Sequence, residues 1–169
     1  MDTSVQHAES AIAEQAGDDA PLSIGVTGHR DLVPEEMAGI RDKVRELLED
    51  LAQRFPDRKL QVVSPLAEGA DRLVARVAEE LGIDVVVPLP MPENLYAQDF
   101  ESSQSWAEFG RLLRGAASHF TMPLAPGNTE ALIADYGPER NRQYAEVGAW
   151  IATHVDILLA IWDGKTLQD

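Results

Sequence analysis

The chain has 169 residues, 44% of them hydrophobic, no cysteine and a formal net charge of −15. That length supports one packed domain. The missing cysteines exclude disulfides and thiolate metal sites, and the pI near 4.5 argues against nucleic acid, whose backbone is bound by lysine and arginine. No apolar run approaches the roughly 18 residues that span a bilayer, and no basic region followed by an apolar stretch opens the chain. A cytoplasmic protein without membrane contact is therefore expected.

Residues 1–20 carry Asp2, Glu9, Glu14, Asp18 and Asp19 and no lysine or arginine. They read as an acidic, disordered tail, with a single folded domain over residues 21–169. Leu22 to Thr27 is apolar and β-branched, as a buried strand is. From Glu35 to Phe55 the apolar positions Met37, Ile40, Val44, Leu47, Leu48 and Leu51 follow helical spacing, with Pro34 suited to the first turn. Leu60 to Leu66 is a second strand. Ala70 to Leu81 is a second helix, stopped by Gly82. Asp84 to Leu89 is a third strand, apolar enough to be buried on both faces. Pro88 to Pro92 is a stiff, extended exit.

Ser102 to Ala117 reads as a helix and His119 to Leu124 as a short edge strand. Residues 125–138 read as loop with a helical turn. Glu139 to His154 is a helix with Val147, Trp150 and Ile151 facing inward, and Val155 to Trp162 is a last apolar strand. Strands alternating with helices over connections of this length make an α/β, Rossmann-like three-layer domain with a mostly parallel central sheet.

In such sheets ligands bind beyond the carboxyl ends of the strands, where strand order reverses. Gly28, His29 and Arg30 follow the first strand. Glycine admits close approach of a ligand oxygen, His29 can donate, and Arg30 can grip a phosphate with two parallel hydrogen bonds. The alternative is a turn in which His29 and Arg30 pair with Asp31 and Glu35. Glu68, Gly69, Ala70 and Asp71 form the next turn. There the amides of Gly69 and Ala70 open a helix toward a ligand, Asp71 is also a cap candidate, and Glu68 can accept from ribose hydroxyls or a base amine. Asn141 and Arg142 open a later helix and are candidates for the same crevice, against an Arg142–Glu146 pair. Asp163 and Gly164 follow the last strand.

His7, His29, His119 and His154 show no ligand spacing, so no metal site is expected. No P-loop, no GxGxxG fingerprint and no GxSxG elbow is present. Trp106, Trp150 and Trp162 read as core residues, with Trp162 close to the site.

The segments Gly25 to Arg30, Ser64 to Asp71, Asn141-Arg142 and Ala160 to Gly164 resemble the SLOG superfamily. It contains LOG-type phosphoribohydrolases, DprA-like proteins and bacterial nucleotide-sensor domains. The wording of the motifs is closest to the uncharacterised sensor-like members, and the resemblance covers Leu22 to Gly164. It implies a Rossmann-like fold, a small-molecule nucleotide as ligand and partner, and a homodimer. Gly28 to Arg30 would form the first ligand loop and Glu68 to Asp71 the second.

LOG-type enzymes carry a Pro-Gly-Gly-x-Gly-Thr-x-x-Glu loop after the strand equivalent to Val155–Trp162. That loop and its following helix are absent from this sequence, which departs from the enzymes there and leaves Glu68 as the one catalytic candidate. The reading is thus a nucleotide-binding or sensing domain with no certain cofactor. The alternatives are a phosphoribohydrolase cleaving the N-glycosidic bond of nucleoside monophosphates, or a protein-interaction domain without ligand.

Overall fold

A computed structural model describes residues 20–162. The expected tail, apart from Ala20, and the Asp163-Gly164 segment lie outside the described residues. The strands are β1 (Leu22–Gly28), β2 (Leu60–Val63), β3 (Asp84–Leu89), β4 (Ser118–Thr121) and β5 (Ile157–Ile161). The helices are α1 (Met37–Arg54), α2 (Ala70–Glu80), α3 (Glu93–Tyr96), α4 (Ser103–Gly115), α5 (Glu130–Ala134) and α6 (Pro138–His154), with a 3₁₀ turn at Ala97–Asp99.

All strand pairs are parallel, in the order β4-β3-β2-β1-β5. The chain steps outward from β1 to β4, then returns through α6 to lay β5 on the other side of β1. Leu22 lies opposite Leu60 of β2, and Gly28 opposite Ile161 of β5. The fold is therefore the α/β, Rossmann-like one expected, and its switch point lies between β1 and β5.

Alternation along the strands builds two cores. Leu22, Ile24 and Val26 of β1, Val62 of β2 and Val85 and Val87 of β3 pack with Val44 and Leu48 of α1, Leu73 and Val77 of α2, and Phe109 and Leu112 of α4. On the opposite face Val63 and Val86 meet Met122 and the α6 residues Val147 and Ile151. Ser102 caps α4 by accepting from the Ser105 amide at 3.1 Å, and Thr129 caps α5 by accepting from the Leu132 amide at 3.2 Å, as short polar side chains do at helix starts. Among the described residues no helix is long and apolar enough to cross a membrane.

Four expectations shift. Helix α1 begins at Met37, because Val33 to Met37 first forms a turn in which the Val33 and Pro34 carbonyls accept from the amides of Glu36 and Met37. Strand β2 ends at Val63 because the backbone turns left-handed at Leu66. The stretch after β3 winds into α3 and the 3₁₀ turn. Trp106 and Trp162 are 43% and 62% exposed rather than core. Trp106 stacks on Phe109 with much of its own surface exposed, and Trp162 follows β5, an edge strand with no neighbour beyond it among the described residues. Trp150 is half-buried, edge-on to Phe120.

Candidate functional site

The turn from β2 into α2 is the most constrained part of the sheet's carboxyl edge. Leu66 has φ +59° and is fully buried. A non-glycine residue in this region costs of order 1 kcal/mol and persists only where its surroundings enforce it. Here they do. The Leu66 amide donates to Ser64 Oγ at 3.2 Å, and the Leu66 carbonyl accepts from Arg72 Nε at 3.0 Å. The Ala67 amide donates to Asp71 Oδ2 at 3.2 Å, and Tyr96 Oη donates to the Pro65 carbonyl at 3.1 Å. Asp71 thus braces the turn that precedes its own helix. Its carboxyl is pushed up to about 7 by burial, against the hydrogen bond from Ala67 and the nearby Arg72 and Arg30 charges.

That turn abuts the loop after β1. Gly69 has φ +83°, and a Cβ there would overlap the carbonyl oxygens of Arg30 and His29. The Ala70 amide donates to the His29 carbonyl at 3.1 Å. The first amide of α2 is therefore already bonded to the protein, and glycine is required for the two loops to touch. Gly28 is tight as well, since a Cβ would lie 2.6 Å from Ala70 Cβ and 2.7 Å from the Ile161 carbonyl oxygen.

Glu68, held on this turn, joins three segments. Its Oε2 accepts from Arg30 Nη2 at 3.2 Å, and its Oε1 accepts from the Glu101 amide at 3.1 Å and from the Ser105 hydroxyl. Burial works to raise its carboxyl. The Ser105 hydroxyl, the Glu101 amide and the charges of Arg72 and Arg30 outweigh burial and hold it below the ordinary glutamate range. Arg30 also donates to the Asp99 carbonyl at 3.0 Å. It pairs with Glu68 rather than with its sequence neighbours Asp31 and Glu35.

Two further arginines, Arg72 and Arg140, complete the edge. Arg72 is 2% exposed. Its Nη1 donates to Ser105 Oγ at 2.7 Å and to the Ser105 carbonyl at 2.9 Å, and its guanidinium lies 4.5 Å from the Phe100 ring centre. Its Nη2 is buried and donates to no acceptor among the described residues. Arg140, also 2% exposed, pairs with Asp99 at 2.8 Å and donates to the carbonyls of Ile133 and Leu95. The Tyr144 hydroxyl donates to the same Asp99 carboxylate.

The His29–Leu32 loop divides the crevice in two. On its β5 side a cavity of about 690 Å³ is lined by His29, Lys43 and Glu36 and by Leu159 to Trp162. On its α2 side a smaller one of about 360 Å³ is lined by Arg30, Glu68, Arg72, Arg76, Ser105 and Glu108. Asp31 and Leu32 face both. Of the expected residues, Gly28, His29, Arg30, Glu68, Gly69, Ala70 and Asp71 come together. Asn141 and Arg142 are exposed and line neither cavity. Arg142 donates to the Pro126 carbonyl at 3.0 Å rather than pairing with Glu146. Asp163 and Gly164 lie outside the described residues. Among those described, no group of histidines and carboxylates is placed to hold a metal ion.

No protein-family model matches the chain, and no curated protein matches it. Among solved structures it is similar to DNA processing protein A (DprA) from Streptococcus pneumoniae, at 15% identity and a TM-score of 0.47. The match covers 83% of this chain and 41% of that protein, so the chain spans less than half its length. A likeness of that degree carries no argument about ligand or activity.

Proposed function

We propose that the chain binds a nucleotide or nucleotide derivative at the carboxyl edge of its sheet, seated in the larger cavity. The observation that carries this reading is the pairing of Gly28 with Ile161 across the switch point, with a cavity of about 690 Å³ opening beside it. In parallel sheets that is where such ligands lie. The lining has the chemistry of the class. His29 and Lys43 supply donors for a phosphate, Asp31 and Glu36 supply acceptors for ribose hydroxyls, and the exposed Trp162 ring offers a face for a base.

Binding without turnover is the reading adopted. A glycosidic-bond hydrolase would need Glu68 as its acid or base. That carboxylate is hydrogen-bonded on both oxygens by groups of the protein, and its pKa, lowered from the ordinary glutamate range, disfavours it as an acid. Thermal unfolding in the presence of mononucleotides, dinucleotides and cyclic dinucleotides tests the proposal. A member of the class at 100 times its Kd should stabilise the protein by about 2.7 kcal/mol. Trp162→Ala and His29→Ala should each weaken that ligand about tenfold. A flat response to every nucleotide would sink the reading.

A further inference from the structure

We propose that the smaller cavity, between the His29–Leu32 loop, α2 and α4, is an oxyanion site for a phosphate group, and that Glu68 fills it on Arg30 in the ligand-free protein. This goes beyond the nucleotide seat, since it concerns the opposite side of the loop and does not require that the larger cavity be occupied.

Three observations converge. Arg72 is 2% exposed, lines this cavity, and has an Nη2 with no acceptor among the described residues. Buried donors are almost always paired in native proteins, so this one marks an acceptor still to be supplied. Arg30 and Arg76 line the same space, and guanidinium forks match the geometry of phosphate oxygens.

The charges decide how such a group would enter. Arg30, Arg72 and Arg76 are met by Asp31, Glu68, Glu101 and Glu108, so the lining has no positive surplus. An incoming anion must replace a carboxylate on a guanidinium. Glu108 is tied to both Arg76 and Arg72. Glu68 is the exchangeable one. It meets Arg30 at 3.2 Å, and the Arg30 side chain is 48% exposed. It is also one hydroxyl away from Arg72, because Ser105 Oγ donates to Glu68 Oε1 and accepts from Arg72 Nη1. A phosphate that takes Arg30 frees a Glu68 oxygen, and the orphaned Arg72 donor is its second partner. The two pairings are the two states of the site, and the ligand shifts the balance between them.

Calorimetric titration of inorganic phosphate into wild type, Glu68→Gln and Glu68→Ala tests this. Removing the competing carboxylate should tighten phosphate roughly two- to fivefold, the scale set by the small worth of a partly exposed ion pair. Arg30→Gln should abolish binding. If Glu68 instead contacted the ligand directly, Glu68→Gln would weaken binding, and that result or an unchanged affinity overturns the proposal. Absence of phosphate binding to wild type and to both Glu68 variants overturns it too. Should the variants fold poorly, nitrogen-15 spectra of the wild-type arginine side chains decide. Saturating phosphate should move the Arg72 signals, and unmoved signals count against the site. A mononucleotide titrated alongside separates the sources of the phosphate. Trp162→Ala should weaken the nucleotide and leave inorganic phosphate unchanged, so the nucleotide seat can fail while this site stands.

Discussion

Strand β1 meets an arginine and a carboxylate at each of its ends, and the two clusters are built differently. At the amino end Asp156 Oδ2 accepts from the Ser23 amide at 2.9 Å, from the Ser23 hydroxyl at 3.0 Å and from Arg58 Nη2 at 3.2 Å. Arg58 also donates to the carbonyls of Ala20 and Pro21. Burial works to raise Asp156, but the Ser23 donors and Arg58 hold it below the usual aspartate range. That cluster is a clasp between β1 and the start of β5. At the carboxyl end the same residue types surround two cavities, bury Arg72 and Arg140 to 2% exposure and leave one Arg72 donor without an acceptor among the described residues. An arginine and an acid in contact do not distinguish a clasp from a site. Burial and an unmet donor do.

The comparison can be broken by substitution. The largest effect is expected at Arg140. Arg140→Met leaves Asp99 buried without its partner, and breaking such a pair costs about 3–5 kcal/mol, read by urea unfolding. A cost below about 1 kcal/mol would place Arg140 with the exposed clasps.

Asp71 comes next, and its effect depends on pH. Its folded carboxyl titrates near 7, against an ordinary value of 3.8. Between those values the folded state holds a proton that the unfolded state has released. Stability therefore falls as pH rises through this window, and the full penalty applies above about pH 7. Asp71→Asn, which can still accept from the Ala67 amide, removes that term. Its stability relative to wild type should climb from pH 4 to pH 7 by at most about 4 kcal/mol and then level off. A difference independent of pH would remove Asp71 from the strained turn's account. The smallest effect belongs to the amino end. Asp156 is 44% exposed in its side chain, so Asp156→Asn should cost about 1 kcal/mol or less, and added salt should shrink that cost further.

Local pattern made much of the scaffold readable. Val85, Val86 and Val87 announce a strand buried on both faces, and Leu73, Val74 and Val77 announce the inward side of α2. The last strand shows the limit. Ile157 to Ile161 reads as apolar throughout, yet Leu158 is 47% exposed, because an edge strand and a central one have the same composition when only neighbours in space differ. The turns at Gly28 and Gly69 were legible from strand-to-helix punctuation.

Their electrostatics were not. Arg140 opens a helix and suggests a solvated terminus, yet its guanidinium reaches Asp99, 41 residues earlier. Arg72 looks like an exposed first-turn residue, but Ala70, Leu73, Val74 and Ala75 around it are all buried. An arginine inside so apolar a run was the one available sign. Ser105, which links Arg72 to Glu68, carries no sign at all before the chain is folded.

The left-handed Leu66 has a kinetic consequence. The groups that hold it come from Ser64, Asp71, Arg72 and Tyr96, and Arg72 is itself placed by Ser105. A nascent chain that has completed β2 and α2 still lacks Tyr96 and Ser105. The turn therefore gains its last restraints only with the segment through α4, later in the chain than the strand and helix it joins. A turn held from so many separate segments can open locally while the core stays closed.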